Sequence, residues 1–404
     1  MDPTETPLGF LRWDEAGRER LAALSGAEWS DLLVAVERSA GVPLLARRLR
    51  RAGINPPAAI AARLRGHTFA VAGKTLQARG VLAEALAATG RPMLLLKGID
   101  LGDRLYGNAG HRQMGDVDFL VHGEDAMAYH AHLVDRGFTA SGVPDAGMRA
   151  AEWHHHVIYA PPGPGQLPFE LHWRLADGAL GNAIDMAEIW SRSLPHPTLP
   201  QGARVMAAED LFVYLCLHLQ QHLFEVPATS LWDIAELLDC PALPLDWPVI
   251  WARAHAWGLT EGVQATLNLV TRLLGVPTQD FSNDAPDPTL LALLPQGPAS
   301  LGQYPAFMTV ADARLGKALA GGLGWRTRLE ALWNGLLPPR LEVRTRYGGP
   351  DQSNWADLRS YARRLVAISR GKLPLLFAWA SDRGGTRRSI DRINRLRRHL
   401  DQRR

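Results

Sequence analysis

Cysteine is scarce in the sequence, which has Cys216 and Cys240 as its only two among 404 residues. Two cysteines are too few for a disulfide framework, and these two lack the close spacing of paired metal ligands. Long apolar runs are also missing, because the best candidate, residues 373–380, is far shorter than the roughly 18 residues of a membrane span. The N-terminus lacks the basic start and apolar stretch of a secretory signal. We therefore expect a cytoplasmic protein with no membrane span.

A strong excess of charge of either sign is missing as well, since the formal net charge is only +3. Such a balance does not favour a nucleic-acid partner for the molecule as a whole. Arginines are nevertheless concentrated in residues 383–404, where nine of them accompany only Asp391 and Asp401 as acidic residues. The simpler interpretation of this tail is a solvated amphipathic helix. Contact with RNA, phosphates or an anionic membrane surface is the alternative.

Periodicity divides the chain into three parts. A chain of 404 residues has room for two to three domains at about 150 residues each. Residues 1–66 and 196–404 have apolar positions three and four apart, which is typical of amphipathic helices. Residues 67–195 mix such segments with short apolar or alternating runs that predict strands. We expect an α+β fold with a helical N-terminal segment, a mixed core and a helical C-terminal region.

The mixed core contains four predicted strands. The first is the apolar run 93–96, which Lys97-Gly98 closes with a glycine turn. The segment 116–121 is the second strand, because acidic and apolar residues alternate in it before the run becomes wholly apolar. The remaining predicted strands are 155–159 and 169–174, and the predicted helices are 67–88, 100–106 and 124–136.

Asp116 and Asp118 are the strongest candidates for chemistry. Residues two apart on a strand point to the same face, with α-carbons roughly 6.6 Å apart. Two carboxylates held so close repel each other unless a cation lies between them, and Mg²⁺ prefers such hard oxygen ligands. Glu170, which shares a strand face with His172, is the candidate third carboxylate. These residues predict a two-ion magnesium site that activates a hydroxyl and stabilises a leaving pyrophosphate.

The order of these segments, KG, then RQMGDVDFLV, then a helix and a strand with FELHW, resembles the DNA polymerase beta-like nucleotidyltransferase superfamily. It looks most like the bacterial branch of uncharacterised, standalone nucleotidyltransferases. The resemblance covers residues 67–175 and, more loosely, the helical remainder. It implies a polymerase beta-like catalytic core at 67–195, metal binding by Asp116, Asp118 and Glu170, and a nucleoside triphosphate as the donor substrate.

The chain departs from the superfamily in the residues that bind the phosphates of the nucleotide. Relatives hold the phosphates with a glycine–serine pair after the first strand, but this chain has Gly98-Ile99 and so lacks the hydroxyl. Lys97 and Arg112 are the candidates to bind the triphosphate instead, because both carry a positive charge near the predicted site. The alternatives are a solvated strand end for Lys97 and a loop ion pair for Arg112.

Two groups of histidines are weaker candidates for functional residues. Adjacent histidines on a strand alternate between its faces, so at most two of residues 154–156 would converge. Ligation of a transition metal is one interpretation of them, and we favour substrate contacts or surface residues. His218 and His222 have a zinc-like spacing, but Leu219 stands where a zinc protease needs glutamate, which favours a packed role. Asp233 is expected at or before a helix start, as a cap or as the partner of one of these histidines.

The sequence therefore predicts an enzyme that transfers a nucleoside monophosphate from a nucleoside triphosphate to an acceptor, with Mg²⁺ as cofactor. The acceptor would be a small molecule, a sugar or a modified peptide. One alternative is a nucleotide-binding regulatory protein that has lost catalysis, as Ile99 in place of serine suggests. Another is a toxin-like enzyme that modifies tRNA, as the arginine-rich tail suggests. The residues do not identify the acceptor, the base preference or the oligomeric state.

Overall fold

The computed structural model describes the chain at residues 14–38, 41–144, 155–226, 228–278, 287–295, 355, 358–363, 365–366 and 386–402. Contacts divide the chain into two compact units, one of residues 1–287 with 295–303 and one of residues 288–294 with 304–404. The predicted boundaries at residues 66 and 195 stay predictions. In the described ranges, no helix combines the length and the apolar character needed to cross a membrane.

The N-terminal part of the first unit is helical, as predicted. Asp14 caps the first helix, where its side chain accepts a hydrogen bond from Gly17 N at 3.0 Å. The long fourth helix ends where Gly90 adopts a left-handed conformation, which confirms the predicted stop. It begins earlier than predicted, directly after Pro57. These helices are α1 (Glu15–Ala22), α2 (Gly26–Arg38), α3 (Val42–Ala52) and α4 (Ala58–Thr89).

The described residues form one mixed sheet in the spatial order β3-β4-β5-β2-β1-β7-β6. The four predicted strands correspond to β1, β2, β4 and β5. The other three strands are only two or three residues long, too short to show an alternating pattern in the sequence. The strands are β1 (Met93–Leu95), β2 (Val117–Leu120), β3 (Thr139–Ala140), β4 (His156–Ala160), β5 (Phe169–His172), β6 (Leu194–Pro195) and β7 (Ala203–Val205).

The sheet buries one face in an apolar core. Phe119 and Phe169 lie in this core with their ring centres 6.4 Å apart, and Tyr129 packs against Phe119 from the covering helix. Because side chains alternate along a strand, the neighbours Asp118 and Glu170 are directed to the opposite face. The packing of the core therefore fixes which side of the sheet carries the acids.

Helices surround the sheet and form most of the rest of the first unit. Helix α9 is buried along most of its length and contacts α10, α11 and α12. The helices of the first unit after α4 are α5 (Ile99–Arg104), α6 (Ala126–Asp135), α7 (Gly178–Ala183), α8 (Met186–Arg192), α9 (Ala208–Gln221), α10 (Ala228–Leu238), α11 (Trp247–Ala256) and α12 (Thr260–Leu274). A 3₁₀ turn, Gly123–Asp125, leads into α6.

In the second unit, α13 (Pro288–Leu293) packs against α14 (Thr386–Gln402). Helix α14 contains most of the arginine-rich tail. Ile393, Leu396 and Leu400 are buried at spacings of three and four residues, so this helix is amphipathic. The predicted amphipathic helix is therefore confirmed. Arg383, Arg403 and Arg404 lie outside the described residues.

Candidate active site

The sheet places Asp118 and Glu170 side by side. Asp118 lies in β2 and Glu170 is its register partner in the parallel neighbour β5. Strands that pair in this way lie about 4.8 Å apart, so the two side chains are neighbours on one face. Asp116 lies immediately before β2, and its charge interacts with those of Asp118, Lys97 and Glu170. The structure thus brings Asp118 and Glu170 together, with Asp116 within electrostatic range of both.

Lys97 is the cation of this cluster. It follows β1, and its Nζ atom lies 3.3 Å from Oδ2 of Asp118, with the two side chains 13% and 2% exposed. Burial alone would lower the pKa of Lys97, but the charges of Asp118, Asp116 and Glu170 outweigh it and raise that pKa. Lys97 is therefore a charged, buried partner of the acids rather than a solvated strand end.

The two aspartates differ in how readily they ionise. Burial opposes ionisation of Asp118, but the charge of Lys97 and the hydrogen bond with His172 outweigh burial and lower its pKa. Burial and the charge of Asp118 raise the pKa of Asp116 to about 6. The ionised form is thus stabilised for Asp118 and destabilised for Asp116.

His172 bridges the two strands that carry the acids. Its Nε2 atom lies 3.3 Å from Oδ1 of Asp118 and 3.5 Å from Oε2 of Glu170. Burial tends to lower the pKa of His172, but hydrogen bonds with both carboxylates raise it. The sequence placed His172 on the face of Glu170 but gave it no role, because the approach of Asp118, 54 residues away, depends on strand pairing.

The carboxylates fit a divalent cation. Three carboxylates and the ammonium of Lys97 leave two negative charges when His172 is neutral and one when it is protonated. Oδ2 of Asp118 is buried and accepts no hydrogen bond from the described residues, because Lys97 approaches it without hydrogen-bond alignment. Asp118, Glu170 and His172 offer ligand atoms within 4.8 Å of one another. Such oxygen-rich sites suit Mg²⁺ or Mn²⁺.

Gly98 and Ile99 form the turn after β1. Gly98 has φ +56°, and a β-carbon there would lie 2.9 Å from Sδ of Met114, so glycine is required. Ile99 begins α5 and belongs to the apolar core at 2% exposure. The hydroxyl that the superfamily places after the glycine is therefore replaced by a core side chain. At Gly98 the backbone carries no side chain, so a ligand can approach it closely.

Arg112 is held by α10. Nε and Nη2 of Arg112 donate to the two carboxylate oxygens of Asp233 at 2.9 and 2.6 Å, and the Tyr106 hydroxyl donates to Asp233 at 2.8 Å. Burial tends to lower the pKa of Arg112, but Asp233 outweighs it, and Asp116 also contributes to the net rise. The expectation for Asp233 was wrong in two respects. It lies within α10 rather than at its start, and it accepts hydrogen bonds from Arg112 and Tyr106 rather than from a histidine.

Helix α9 brings a row of polar side chains to the cluster. Burial and the charges of Asp118, Glu170 and Asp116 raise the pKa of Tyr214 well above its usual value. Burial and the charge of Lys97 lower the pKa of His218, and they lower that of His222 to about 4. Tyr214 was not predicted from the sequence. Its signal was the spacing of four residues between Tyr214, His218 and the C-cap residue His222.

A sheet that brings three carboxylates and a buried lysine together suits the transfer of phosphoryl or nucleotidyl groups. The family described as "Uncharacterised nucleotidyltransferase" matches residues 25–275, which is more than half of the chain, and the chain belongs to this family. The matched range includes every candidate site residue named above. Comparison with curated proteins and with solved structures finds no match.

Proposed function

We propose that this chain is a polymerase beta-like enzyme that transfers a nucleoside monophosphate from a nucleoside triphosphate to an acceptor hydroxyl. The observation that carries the proposal is the cluster of Asp116, Asp118 and Glu170, in which Asp118 is buried and the negative charges outnumber the one positive charge of Lys97. Buried charge without full compensation is costly, and proteins keep it mainly where function requires it. Membership of a nucleotidyltransferase family supports the same reaction.

Asp116, Asp118 and Glu170 would hold Mg²⁺, with two ions as the preferred arrangement. When bound, the cation supplies charge neutralisation at the phosphate oxygens and activation of the attacking hydroxyl. Asp118 is suited to be the central ligand, because its low pKa keeps it ionised over the physiological range. Its Oδ2 atom accepts no hydrogen bond from the described residues and is therefore available for coordination.

The basic residues would orient the triphosphate. Lys97 stays protonated while buried, so it can neutralise a phosphate oxygen at the same place where it now contacts Asp118. Arg112 uses Nε and Nη2 for Asp233, which leaves Nη1 for a phosphate. The ion pair also fixes the direction of the guanidinium group. Gly98 lets the phosphates approach the backbone.

The reaction would be an in-line displacement at the α-phosphorus. A bond forms between the acceptor oxygen and phosphorus, and the bond from phosphorus to the pyrophosphate oxygen breaks. Glu170 would either complete the metal cage or accept the proton of the attacking hydroxyl. The row of Tyr214, His218 and His222 on α9 would form one side of the acceptor pocket. Sugars and modified peptides are the acceptor classes that the resemblance suggests.

The experiment is a transfer assay with each of the four α-labelled nucleoside triphosphates, Mg²⁺ and cell extract as the source of acceptor. Wild-type protein is compared with the double variant Asp116→Ala/Asp118→Ala. Glu188→Ala serves as the matched control, because Glu188 is an acidic residue with a side chain 63% exposed. We expect label on an acceptor with the wild type and the control only. The nucleoside triphosphate that transfers its label to an acceptor is the donor substrate.

The same experiment tests the alternative of a binding protein without catalysis. That alternative is motivated by Ile99, which fills the serine position with a core side chain. Folded wild-type protein that binds a nucleotide or Mn²⁺ but labels no acceptor would overturn the proposed transfer. Label on tRNA, lost on removal of residues 383–404, would instead support the RNA-modifying alternative.

A further inference from the structure

Three histidines converge beside the carboxylates, on the side of β5 away from β2. His156 in β4 is the register partner of His172 in β5, so their side chains are neighbours across the antiparallel pair. His155, His156 and His172 each offer a ring nitrogen within 4.8 Å of the other two. Their ring centres are 4.4 to 5.4 Å apart.

The backbone explains how two adjacent histidines reach one place. His155 lies just before β4, where strict alternation of side chains does not apply. Its carbonyl oxygen accepts a hydrogen bond from Trp173 N at 3.1 Å, which holds His155 beside the end of β5. The prediction that adjacent histidines face opposite sides was wrong for His155 and His156, whose ring centres lie 4.4 Å apart, and the third ring comes from His172. His154 lies outside the described residues.

Two further observations indicate a ligand at these rings. Nδ1 of His172 is buried and has no hydrogen-bond partner among the described residues, although a buried ring nitrogen without a partner is costly. Nδ1 of His155 lies 2.6 Å from Oδ1 of Asp177. A carboxylate that fixes one nitrogen of an imidazole and leaves the other for a metal is the usual arrangement at histidine metal sites.

We propose that His155, His156 and His172 form a binding site for a late first-row divalent cation of the Zn²⁺ class, beside the carboxylates of the magnesium site. Imidazole nitrogens suit Zn²⁺ and its neighbours, whereas Mg²⁺ prefers carboxylate oxygens. Glu170, a carboxylate of the magnesium site, borders the histidines, because its Oε2 atom lies 4.0 Å from Nε2 of His156 and 3.5 Å from Nε2 of His172. The site does not depend on the proposed nucleotidyl transfer.

The test measures metal binding directly on the full-length chain. Wild-type protein, stripped of metal, is titrated with Co²⁺ and then with Zn²⁺. Visible absorption of Co²⁺ reports nitrogen ligands, and a chromophoric chelator in competition reports Zn²⁺ affinity. The variants are His155→Asn and His156→Asn, because these two residues belong to the histidine cluster alone. His67→Asn is the matched control, since His67 is a half-exposed histidine paired with Glu37 elsewhere.

We expect the wild type and His67→Asn to bind Zn²⁺ equally and to give the Co²⁺ absorption. His155→Asn and His156→Asn should weaken Zn²⁺ binding by at least about 10-fold. Asp177→Asn should weaken it by about 10-fold, because it loses only the group that orients His155. Circular dichroism verifies that each variant is folded. Equal Zn²⁺ binding by the wild type and both cluster variants would overturn the proposal, as would no binding by the wild type.

A fourth variant separates this site from the magnesium site. Asp116→Asn removes a carboxylate that is outside the histidine cluster. We expect it to keep the Zn²⁺ affinity of the wild type while losing Mn²⁺ binding. Loss of Zn²⁺ binding in Asp116→Asn but not in His155→Asn would assign the Zn²⁺ to the carboxylates and refute the histidine site. A failed transfer assay leaves this result unchanged.

Discussion

Two kinds of buried charge occur in the first unit, and they differ in how completely they are compensated. Asp233 binds Arg112 through both carboxylate oxygens and also accepts from Tyr106. Asp100 likewise binds Arg104 through both of its oxygens, at 2.5 Å each. Each of these acids has one guanidinium partner and a full set of hydrogen bonds. Such pairs resemble the buried ion pairs that hold a fold together.

The carboxylate cluster is compensated far less well. Asp116, Asp118 and Glu170 are grouped around Lys97 and His172, and Oδ2 of Asp118 accepts no hydrogen bond from the described residues although Nζ of Lys97 lies 3.3 Å away. Asp118 is buried like Asp233 and Asp100, so burial alone does not distinguish a site from a structural pair. The ratio of charges and the unused hydrogen-bonding capacity do distinguish them. This difference predicts that substitution of an acid in a structural pair lowers stability, whereas the effect in the cluster depends on which acid is replaced.

The largest effect is expected at a structural pair. Asp233→Ala leaves the buried guanidinium of Arg112 and the hydroxyl of Tyr106 without their carboxylate. Removal of one partner from a buried ion pair costs about 3–5 kcal/mol. We expect the free energy of unfolding, measured by urea titration, to fall by this amount.

Glu15→Ala is the control for that loss. Glu15 pairs with Arg18 at the surface, where the two side chains are 67% and 55% exposed. Exposed pairs contribute about 1 kcal/mol or less. Comparable losses in the two variants would show that Asp233 is not the anchor that its hydrogen bonds indicate.

Within the cluster, two aspartates two residues apart should respond in opposite directions. Asp118→Asn removes the partner of Lys97 and His172, so we expect the metal-free protein to lose about 3 kcal/mol of stability. Asp116→Asn removes the burial penalty and the repulsion from Asp118 that together raise the pKa of Asp116 from 3.8 to about 6. At about 1.4 kcal/mol per pKa unit, we expect a gain of about 1–3 kcal/mol.

Both variants are measured by urea titration at neutral pH in the presence of a chelator, and then by Mn²⁺ binding. We expect both to lose Mn²⁺ affinity although their stabilities change in opposite directions. A stabilised Asp116→Asn that binds no Mn²⁺ would demonstrate a residue kept for function at a cost in stability. Losses of stability in both variants would remove the distinction between them.

Features of the fold and of the candidate site were predictable from the sequence only where the residues involved lie close together along the chain. The acids, their shared face and the core on the other face follow from alternation within β2 and β5, which is a local pattern. The contact of His172 with Asp118 and the anchoring of Arg112 by Asp233 join residues 54 and 121 positions apart. Such contacts depend on strand order and helix packing, which periodicity does not specify. The role of Ile99 was missed for the same reason, because its burial follows from the packing of α5.

A third prediction concerns a neutral histidine in the structural part of the unit. Nδ1 of His196 accepts hydrogen bonds from the backbone N–H groups of Thr198 and Leu199 at 3.2 Å. Burial lowers the pKa of His196 to about 4 from 6.5. Below pH 6.5 the unfolded chain therefore binds the proton more readily than the native protein, so stability falls as the pH falls toward 4.

We expect the wild type to lose about 1–2 kcal/mol between pH 7 and pH 5 through this group. His196→Asn does not titrate there, and its side-chain oxygen can accept the same two hydrogen bonds. Urea titrations of both proteins at the two pH values isolate the contribution of His196. An equal loss of stability in the two proteins would show that other groups cause the pH dependence.

The smallest expected effect concerns Lys97, which belongs to the cluster but carries the opposite charge. A buried ammonium 3.3 Å from Asp118 competes with a divalent cation for the same carboxylate. Lys97→Met should therefore tighten Mn²⁺ binding about 10-fold, which corresponds to about 1.4 kcal/mol, while it weakens binding of a nucleoside triphosphate.

Lys74→Met is the control for Lys97→Met, because Lys74 is exposed on α4. Calorimetry with Mn²⁺ and then with nucleotide separates the two effects. If Lys97→Met weakened both, the lysine would be organising the cluster rather than balancing its charge.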